Sequence, residues 1–369
     1  MKFHVFNPEH DIALASDLAN FTAPHAGRQL RHDLGFLPAL WADEGDVVLV
    51  DDVELAKRSV QRVAHAANKY LGKGLLRSEC QFAALGRHAR GLQAQGVEPW
   101  GWDRALKARL ARAGIDEVLL SSDEQVSAIR MLSHRRSSAL LLPALRCEGI
   151  IGESFECTTV EEVDDLQRRY GRLVLKAPWS SSGRGLRFIH EPVADNPYIV
   201  GWLHHLLKAQ GSVMAEPYYE KAKDFGMEFE ATAEGEVRYL GLSLFHTENG
   251  AYKGNILAKE SLKNEMLSRY ISNDLLESVQ QKICALTPSI FKHQYVGPFG
   301  VDMMVCTSSN DDGQTTGERH FLLHPCVEIN LRRTMGHVAL SLTPQDDEIK
   351  GVMRIDYDDN AYKLLIKRL

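Results

Sequence analysis

"HPCVEINLRRTMGH", residues 324–337, breaks an apolar run with Glu328, Asn330 and Arg332 at alternate positions. Strand side chains change face at every residue, so these three point the same way. A solvated edge strand would account for a carboxylate, an amide and a guanidinium in one file. So would a ligand site, and the rest of the chain decides between them.

Just upstream, "GPFGVDMMV" (297–305) places Asp302 inside a second apolar strand. A lone acid there is costly to bury without a partner or a metal. Asp302, Glu328 and Asn330 together offer hard oxygen donors on two consecutive strands, the chemistry of a Mg²⁺ site. A polar cluster holding no ion is the alternative. Between the strands lies the polar insert "TSSNDDGQTTGER" (307–319), expected to be an exposed hairpin loop.

Two more stretches carry possible chemistry. "LVLKAPWSSSGRGLRFI" (173–189) runs from a strand through Lys176 into a loop of small residues and out into another strand. Such loops let backbone amides approach a phosphate closely. The dinucleotide fingerprint fails here because Phe188 stands at its last glycine, and no helix follows. The expectation is a hairpin lid with Lys176 at its root, or else a plain hairpin turn. "SVMAEPYYEKAKDFGMEF" (212–229) ends a strand at Glu216, passes Pro217, Tyr218 and Tyr219, and returns after Asp224. A crossing of this kind can show backbone groups to a base edge and an acid to a ribose. A hairpin with a solvated acid fits it equally well.

Toward the N-terminus the texture changes. "KFHVF" (2–6) and "DVVLVDD" (46–52) are short apolar strands, "IALASDLA" is helical, and residues 54–113 look helical apart from "GVEPWGW". "IDEVLLSS" is expected to be a strand, with helix following it. Alternating strands and helices indicate an open α/β domain. Its ligand groups gather at the carboxyl ends of the strands, where "NPEHD" (7–11) lies. After about residue 150 the strands join through Gly, Asn and Asp turns, an α+β texture with antiparallel sheets.

The 369 residues carry a formal net charge of −6, with 44% hydrophobic and 25% charged residues. That length suggests more than one domain, and the charge leaves no basic footprint for nucleic acid or an anionic membrane. No apolar run approaches the roughly 18 residues of a spanning helix. "MKFHVFNPEHDIALA" lacks a long apolar stretch and turns acidic within ten residues, unlike a signal peptide. The six cysteines form no CxxC pair and are expected to be reduced thiols, which points to a cytoplasmic protein.

Taken in order, Lys176 with its Ser/Gly loop, the Glu-x-x-Tyr crossing, the Val-Asp strand and the Glu-x-Asn-x-Arg strand resemble the ATP-grasp superfamily, which includes D-alanine–D-alanine ligase and biotin carboxylase. The resemblance covers about residues 125–345, and "VEINLRR" is its most specific part. It implies a pre-ATP-grasp α/β domain (1–125), then an ATP-grasp domain (126–369) with a smaller nucleotide lobe to about 215 and a larger lobe beyond.

The same resemblance implies ATP and Mg²⁺ as cofactors. Lys176 and the lid residues Ser180, Ser181, Ser182, Gly183 and Gly185 would face the phosphates. Glu216, Pro217, Tyr218 and Tyr219 would read adenine, and Asp224 would bind ribose. Asp302, Glu328 and Asn330 would hold the metal, and Arg332 would steady the transferring group. Members usually carry an earlier phosphate-binding lysine, and Arg135 stands at about its distance. The insert at 307–319 is longer than the usual turn.

The activity implied is an ATP-dependent ligase joining a small-molecule carboxylate to an amine through an acyl-phosphate. Asn7, Glu9, His10, Tyr252, Lys253, Asn255 and Arg333 are candidates for the acceptor pocket. Lys253 is also a candidate for reaching ATP. An ATP-binding regulatory or scaffold protein, or a phosphoryl transferase on the same fold, is the alternative.

Overall fold

The computed structural model describes residues 1–72, 80–86, 92–180, 185–248, 251–307, 320–344 and 346–369. The lid positions Ser181, Ser182 and Gly183 lie outside these residues, as do Asn249, Gly250 and all of the 307–319 insert except Thr307.

The first domain is a parallel sheet. Strand β1 (Phe3–Val5) leads through α1 (His10–Ser16) and α2 (His25–Leu34) to β2 (Val47–Val50). Helix α3 (Val53–Leu71) follows, then β3 (Gln81–Ala84), β4 (Val97–Pro99) and α4 (Arg104–Ala113). The order is β3-β2-β1-β4, all parallel. Outside "GVEPWGW", which holds β4, residues 54–113 are therefore not helical throughout, since β3 lies within them. "IDEVLLSS" is not a strand either. Glu117–Leu119 is one 3₁₀ turn, whose Val118 amide is tied down by the Asp116 carboxylate.

Two helices bridge to the next lobe: α5 (Asp123–Leu132), opened by a Ser122/Gln125 capping box, and α6 (Arg136–Leu145). The smaller lobe holds β5 (Phe155–Cys157), α7 (Val160–Tyr170), β6 (Leu173–Lys176), β7 (Leu186–Ile189), α8 (Pro197–Gln210) and β8 (Val213–Pro217). Its sheet runs β5-β8-β6-β7, antiparallel throughout. Lys176 pairs with Leu186 where β6 and β7 meet the lid, so the lysine does sit at the root of a hairpin.

The larger lobe begins with β9 (Lys221–Ala231), β10 (Val237–Ser243), β11 (Phe245–Glu248) and β12 (Ala251–Leu257). Helices α9 (Glu260–Ser268) and α10 (Asn273–Ile290) precede β13 (Gly297–Thr307), β14 (Phe321–Asn330) and α11 (Met335–Ser341). A sheet ordered β10-β9-β13-β14 buries Phe225, Met227, Phe229, Phe299 and Val301 against α6 and α10.

A closing hairpin, β15 (Gly351–Asp358) and β16 (Ala361–Arg368), turns at Asp359–Asn360. Both turn residues have positive φ, 50° and 60°, as a two-residue primed turn requires. Its sheet (β11-β12-β15-β16) packs on α2 and α3, so Leu364, Ile366 and Met353 share one core with Phe36, Val48 and Trp100 of the first domain. The chain thus returns to its beginning, and this brings α1 against the end of β14.

Candidate functional site

Cross-strand register builds the site. Asp302 of β13 lies opposite Glu328 of β14 and Gly226 of β9, while Gly300 lies opposite Asn330 and Glu228. By strand alternation Asp224, Glu228, Asp302, Glu328 and Asn330 therefore share one face of three adjacent strands. The β13–β14 ladder slips beside Pro325, which has no N–H to donate, and regains register at Glu328.

On this face Asn330 donates to Asp302 at 3.1 Å. Arg135, at the start of α6, clamps both oxygens of Glu328 at 2.8 Å and donates to Ser180 Oγ at 2.9 Å and to the Ala177 carbonyl. The guanidinium expected to face a phosphate thus lies on one of the expected metal ligands and touches the lid. Gly185 lies close to Ser180; a Cβ there would fall 2.6 Å from that of Ser180. Lys176 forms a buried 2.6 Å ion pair with Glu216 and reaches the Val327 carbonyl at 3.3 Å. The root of the lid and the Glu-x-x-Tyr crossing are therefore in direct contact.

Asp302 carries a carboxyl pushed up to about 7, by burial and then by repulsion from Glu328. Glu228 is pushed up to about 8, again chiefly by burial, with Asp302 adding to it. It accepts from Thr334 Oγ1 at 2.8 Å and lies 3.0 Å from His337 Nδ1. A Cβ at Gly336 would overlap its carboxylate. Burial pushes His337 down to about 3, so the ring is neutral there. Two carboxylates and an amide oxygen on one face are hard oxygen donors of the kind Mg²⁺ takes, with Glu328 held by Arg135 in this structure. Only two of the three expected ligands are carboxylates. No group of three or more His, Cys, Asp or Glu suited to a metal occurs among the described residues.

Arg332 leaves the end of β14 and makes two parallel bonds to Asp11 of α1, 2.9 and 2.8 Å, and one to Asn330 Oδ1 at 3.0 Å. Sequence reasoning passed over both Asp11 and Glu228. Each becomes relevant only through contacts across the fold.

The adenine-side residues form a second group. Tyr218 lies under Arg172, with the guanidinium 4.5 Å from the ring centre. Tyr219 meets His324 edge-on at 5.7 Å. His324 is buried, and neither ring nitrogen has a hydrogen-bond partner among the described residues. Asp224 bonds instead to Lys221 at 2.6 Å and to Thr247.

The seven acceptor candidates are not gathered in one place. Asn7 spends its amide on Gly101 and Asp103, and His10 also faces Asp103. Tyr252 and Asn255 bond to each other and lead to Ser243, 2.8 Å from the Asn255 amide. Lys253 pairs with Glu248 at the surface. Arg333 stacks on Trp41 at 4.7 Å, while Glu9 and Asn7 line a cleft between α2 and α4.

No family model and no curated protein matches the chain. Solved structures do. The biotin carboxylase domain of the Hydrogenobacter thermophilus 2-oxoglutarate carboxylase, crystallised with MgADP, ADP and bicarbonate, is 14% identical. The match covers 97% of this chain and 75% of that one, with a TM-score of 0.51. The match spans the first domain and both lobes of this chain.

The chain has the ATP-grasp fold. Its open α/β domain precedes two antiparallel lobes, and Arg135 joins the polar face of the larger lobe at Glu328 to Ser180 of the smaller. Two other ATP-grasp structures match less closely, each with a TM-score of 0.48. They are the Staphylococcus aureus N5-carboxyaminoimidazole synthetase with ADP (12% identical, 97% of this chain, 83% of that one) and the Campylobacter jejuni biotin carboxylase with an ATP analogue (13%, 98% and 77%). Among the described residues no helix is long and apolar enough to cross a membrane.

Proposed function

We propose that this protein is an ATP- and Mg²⁺-dependent ligase that joins a small-molecule carboxylate to an amine through an acyl-phosphate. The observation that carries this reading is the opposition of Asp302 and Glu328 on one face, bounded by Arg135 at one end and Arg332 at the other. Phosphoryl transfer asks a protein mainly for positioning and charge neutralisation.

Asp302, Glu328 and Asn330 are the residues to hold Mg²⁺, which supplies charge neutralisation at the β- and γ-phosphates when bound. Lys176 and the lid hold the phosphate tail. Tyr218, Tyr219 and the backbone around Pro217 receive the base, as the contact between Lys176 and Glu216 joins those two regions. The substrate carboxylate attacks the γ-phosphorus, ADP leaves, and the amine then displaces phosphate from the acyl carbon. Arg332 offers an N–H fork toward the developing negative charge, and Asp11 holds that fork in one orientation.

Calorimetric titration with ATP, with and without Mg²⁺, tests the reading on the natural chain and on Glu328→Gln. Mg²⁺-dependent binding that the substitution weakens is expected, followed by ADP and phosphate release with a suitable carboxylate and amine. Absence of ATP binding to the natural chain would overturn it. A stable phosphorylated product with no free phosphate would make the protein a phosphoryl transferase instead.

A further inference from the structure

The first turn of α1 has two sides. On one, Asp11 holds Arg332. On the other, Glu9 faces a cleft of about 170 Å³ between α2 and α4, beside the carboxyl end of β1. Four arginines line it: Arg28 and Arg31, three apart on α2, and Arg109 and Arg112, three apart on α4. That spacing puts each pair on one helix face.

The carboxylates nearby do not balance them. Asp103 caps α4 through the Leu106 amide at 2.8 Å and accepts from Asn7 at 3.0 Å. Asp51 serves Arg109 at 2.6 Å and Arg31 at 3.4 Å. Among the described residues neither Arg28 nor Arg112 has a carboxylate partner; they donate to the Ala23 and Ala108 carbonyls, at 2.6 and 3.1 Å. Crowding shows at Arg109, whose pKa is lowered by burial and then by Arg31. Glu9 is nine-tenths buried and gives one oxygen to Arg31, while its other oxygen, Oε2, is buried with no partner among the described residues. A buried oxygen without a donor is costly and marks an incomplete site.

We propose that this cleft binds a small oxyanion, a phosphate monoester or a carboxylate, whose carrier also offers an N–H or O–H to Glu9. Guanidinium forks match both oxyanions, and the concave wall keeps the field from being screened away. The carboxyl ends of parallel strands are where open α/β sheets receive ligands. The inference stands on the cleft's own residues and does not depend on the nucleotide site.

The test titrates the full chain at low ionic strength with inorganic phosphate and, separately, with succinate, comparing the natural chain with Arg28→Gln/Arg112→Gln. Both arginines are exposed at the cleft rim, so the double variant keeps its circular dichroism and melting temperature. Saturable one-to-one binding of either anion, weakened about tenfold or more in the variant, supports the site. Phosphate alone points to a phosphate-ester carrier, and succinate alone to a carboxylate. If the double variant does not fold, Arg112→Gln carries the same comparison. Phosphate that binds equally to both chains sits at the nucleotide site, and this outcome overturns the proposal. So does the absence of binding by either anion up to about 10 mM. MgATP affinity, measured beside these, stays unchanged in the variant and keeps the two sites distinguishable.

Discussion

Arg332 and Asp11, 321 positions apart, meet in two parallel hydrogen bonds of 2.9 and 2.8 Å that tie the end of β14 to the first helix. Burial works against both charges, yet the pairing prevails: the Asp11 carboxyl sits below its ordinary range and the Arg332 guanidinium above its own. Removing one partner leaves the other charge in a mostly dry site. Asp11→Asn is therefore expected to cost on the order of 3 kcal/mol in urea unfolding. The double variant Asp11→Asn/Arg332→Met is expected to cost less than the sum of its singles, since both charges leave together. Additive costs in the double-mutant cycle would show that the pair is not coupled.

Glu228 sets a pH dependence of stability. Its folded pKa of about 8 lies above the ordinary value of 4.5. A carboxyl raised on folding contributes stability that is fully present below the unfolded pKa and is lost as pH climbs through the folded one. Between pH 4.5 and about 8 the slope approaches 1.4 kcal/mol per pH unit at its steepest. His337 works the other way up to its unfolded pKa of 6.5, because its ring is neutral when folded and protonated when unfolded. The net loss is therefore expected mainly above pH 6.5, and comparison with a Glu228 variant isolates the carboxyl. Glu228→Gln keeps the shape and the hydrogen bond from Thr334 while abolishing the titration. Chemical denaturation at pH 5 and pH 8 should show the variant gaining on the natural chain as pH rises. Parallel losses in the two proteins would refute the assignment.

How far the sequence could be read follows from the range of each signal. Asp302, Glu328 and Asn330 stood out because period-two alternation acts within one strand. Their opposition across β13 and β14 then needed only a hairpin. Glu228 escaped notice because "DFGMEFEA" alternates acids without saying which face meets β13; register across β9 supplies that. Asp11 was passed over for the same reason at longer range. β3 has four residues, too short for its own pattern to outweigh helical surroundings, and β4 has only three. β4 also ends on Pro99, which reads as a loop until β1 provides a parallel neighbour.

His324 opposes stability to recognition. A buried imidazole with both nitrogens unpartnered among the described residues carries an uncompensated desolvation cost, and burial holds it down to about 3, hence neutral. His324→Leu should raise stability by about 1–2 kcal/mol in thermal or urea unfolding. If the ring faces a bound base beside Tyr219, the same substitution weakens ATP binding measured by calorimetry. A variant no more stable than the natural chain would mean that His324 is satisfied in solution.

Lys176 separates structure from ligand binding. Its pair with Glu216 is buried at both ends, each about 8% exposed, and Ser154 supports the carboxylate at 3.2 Å. Lys176→Met strands Glu216 and should destabilise by about 3 kcal/mol. Adding Glu216→Gln removes the stranded charge, so the double variant should return to within about 1 kcal/mol of the natural chain. Nucleotide affinity should not return with it. If Lys176 donates to a phosphate, losing that charge-assisted bond weakens ATP binding about 10- to 100-fold in single and double variants alike. Should affinity recover together with stability, Lys176 serves only to hold the β6–β8 crossing in shape and takes no part in binding phosphate.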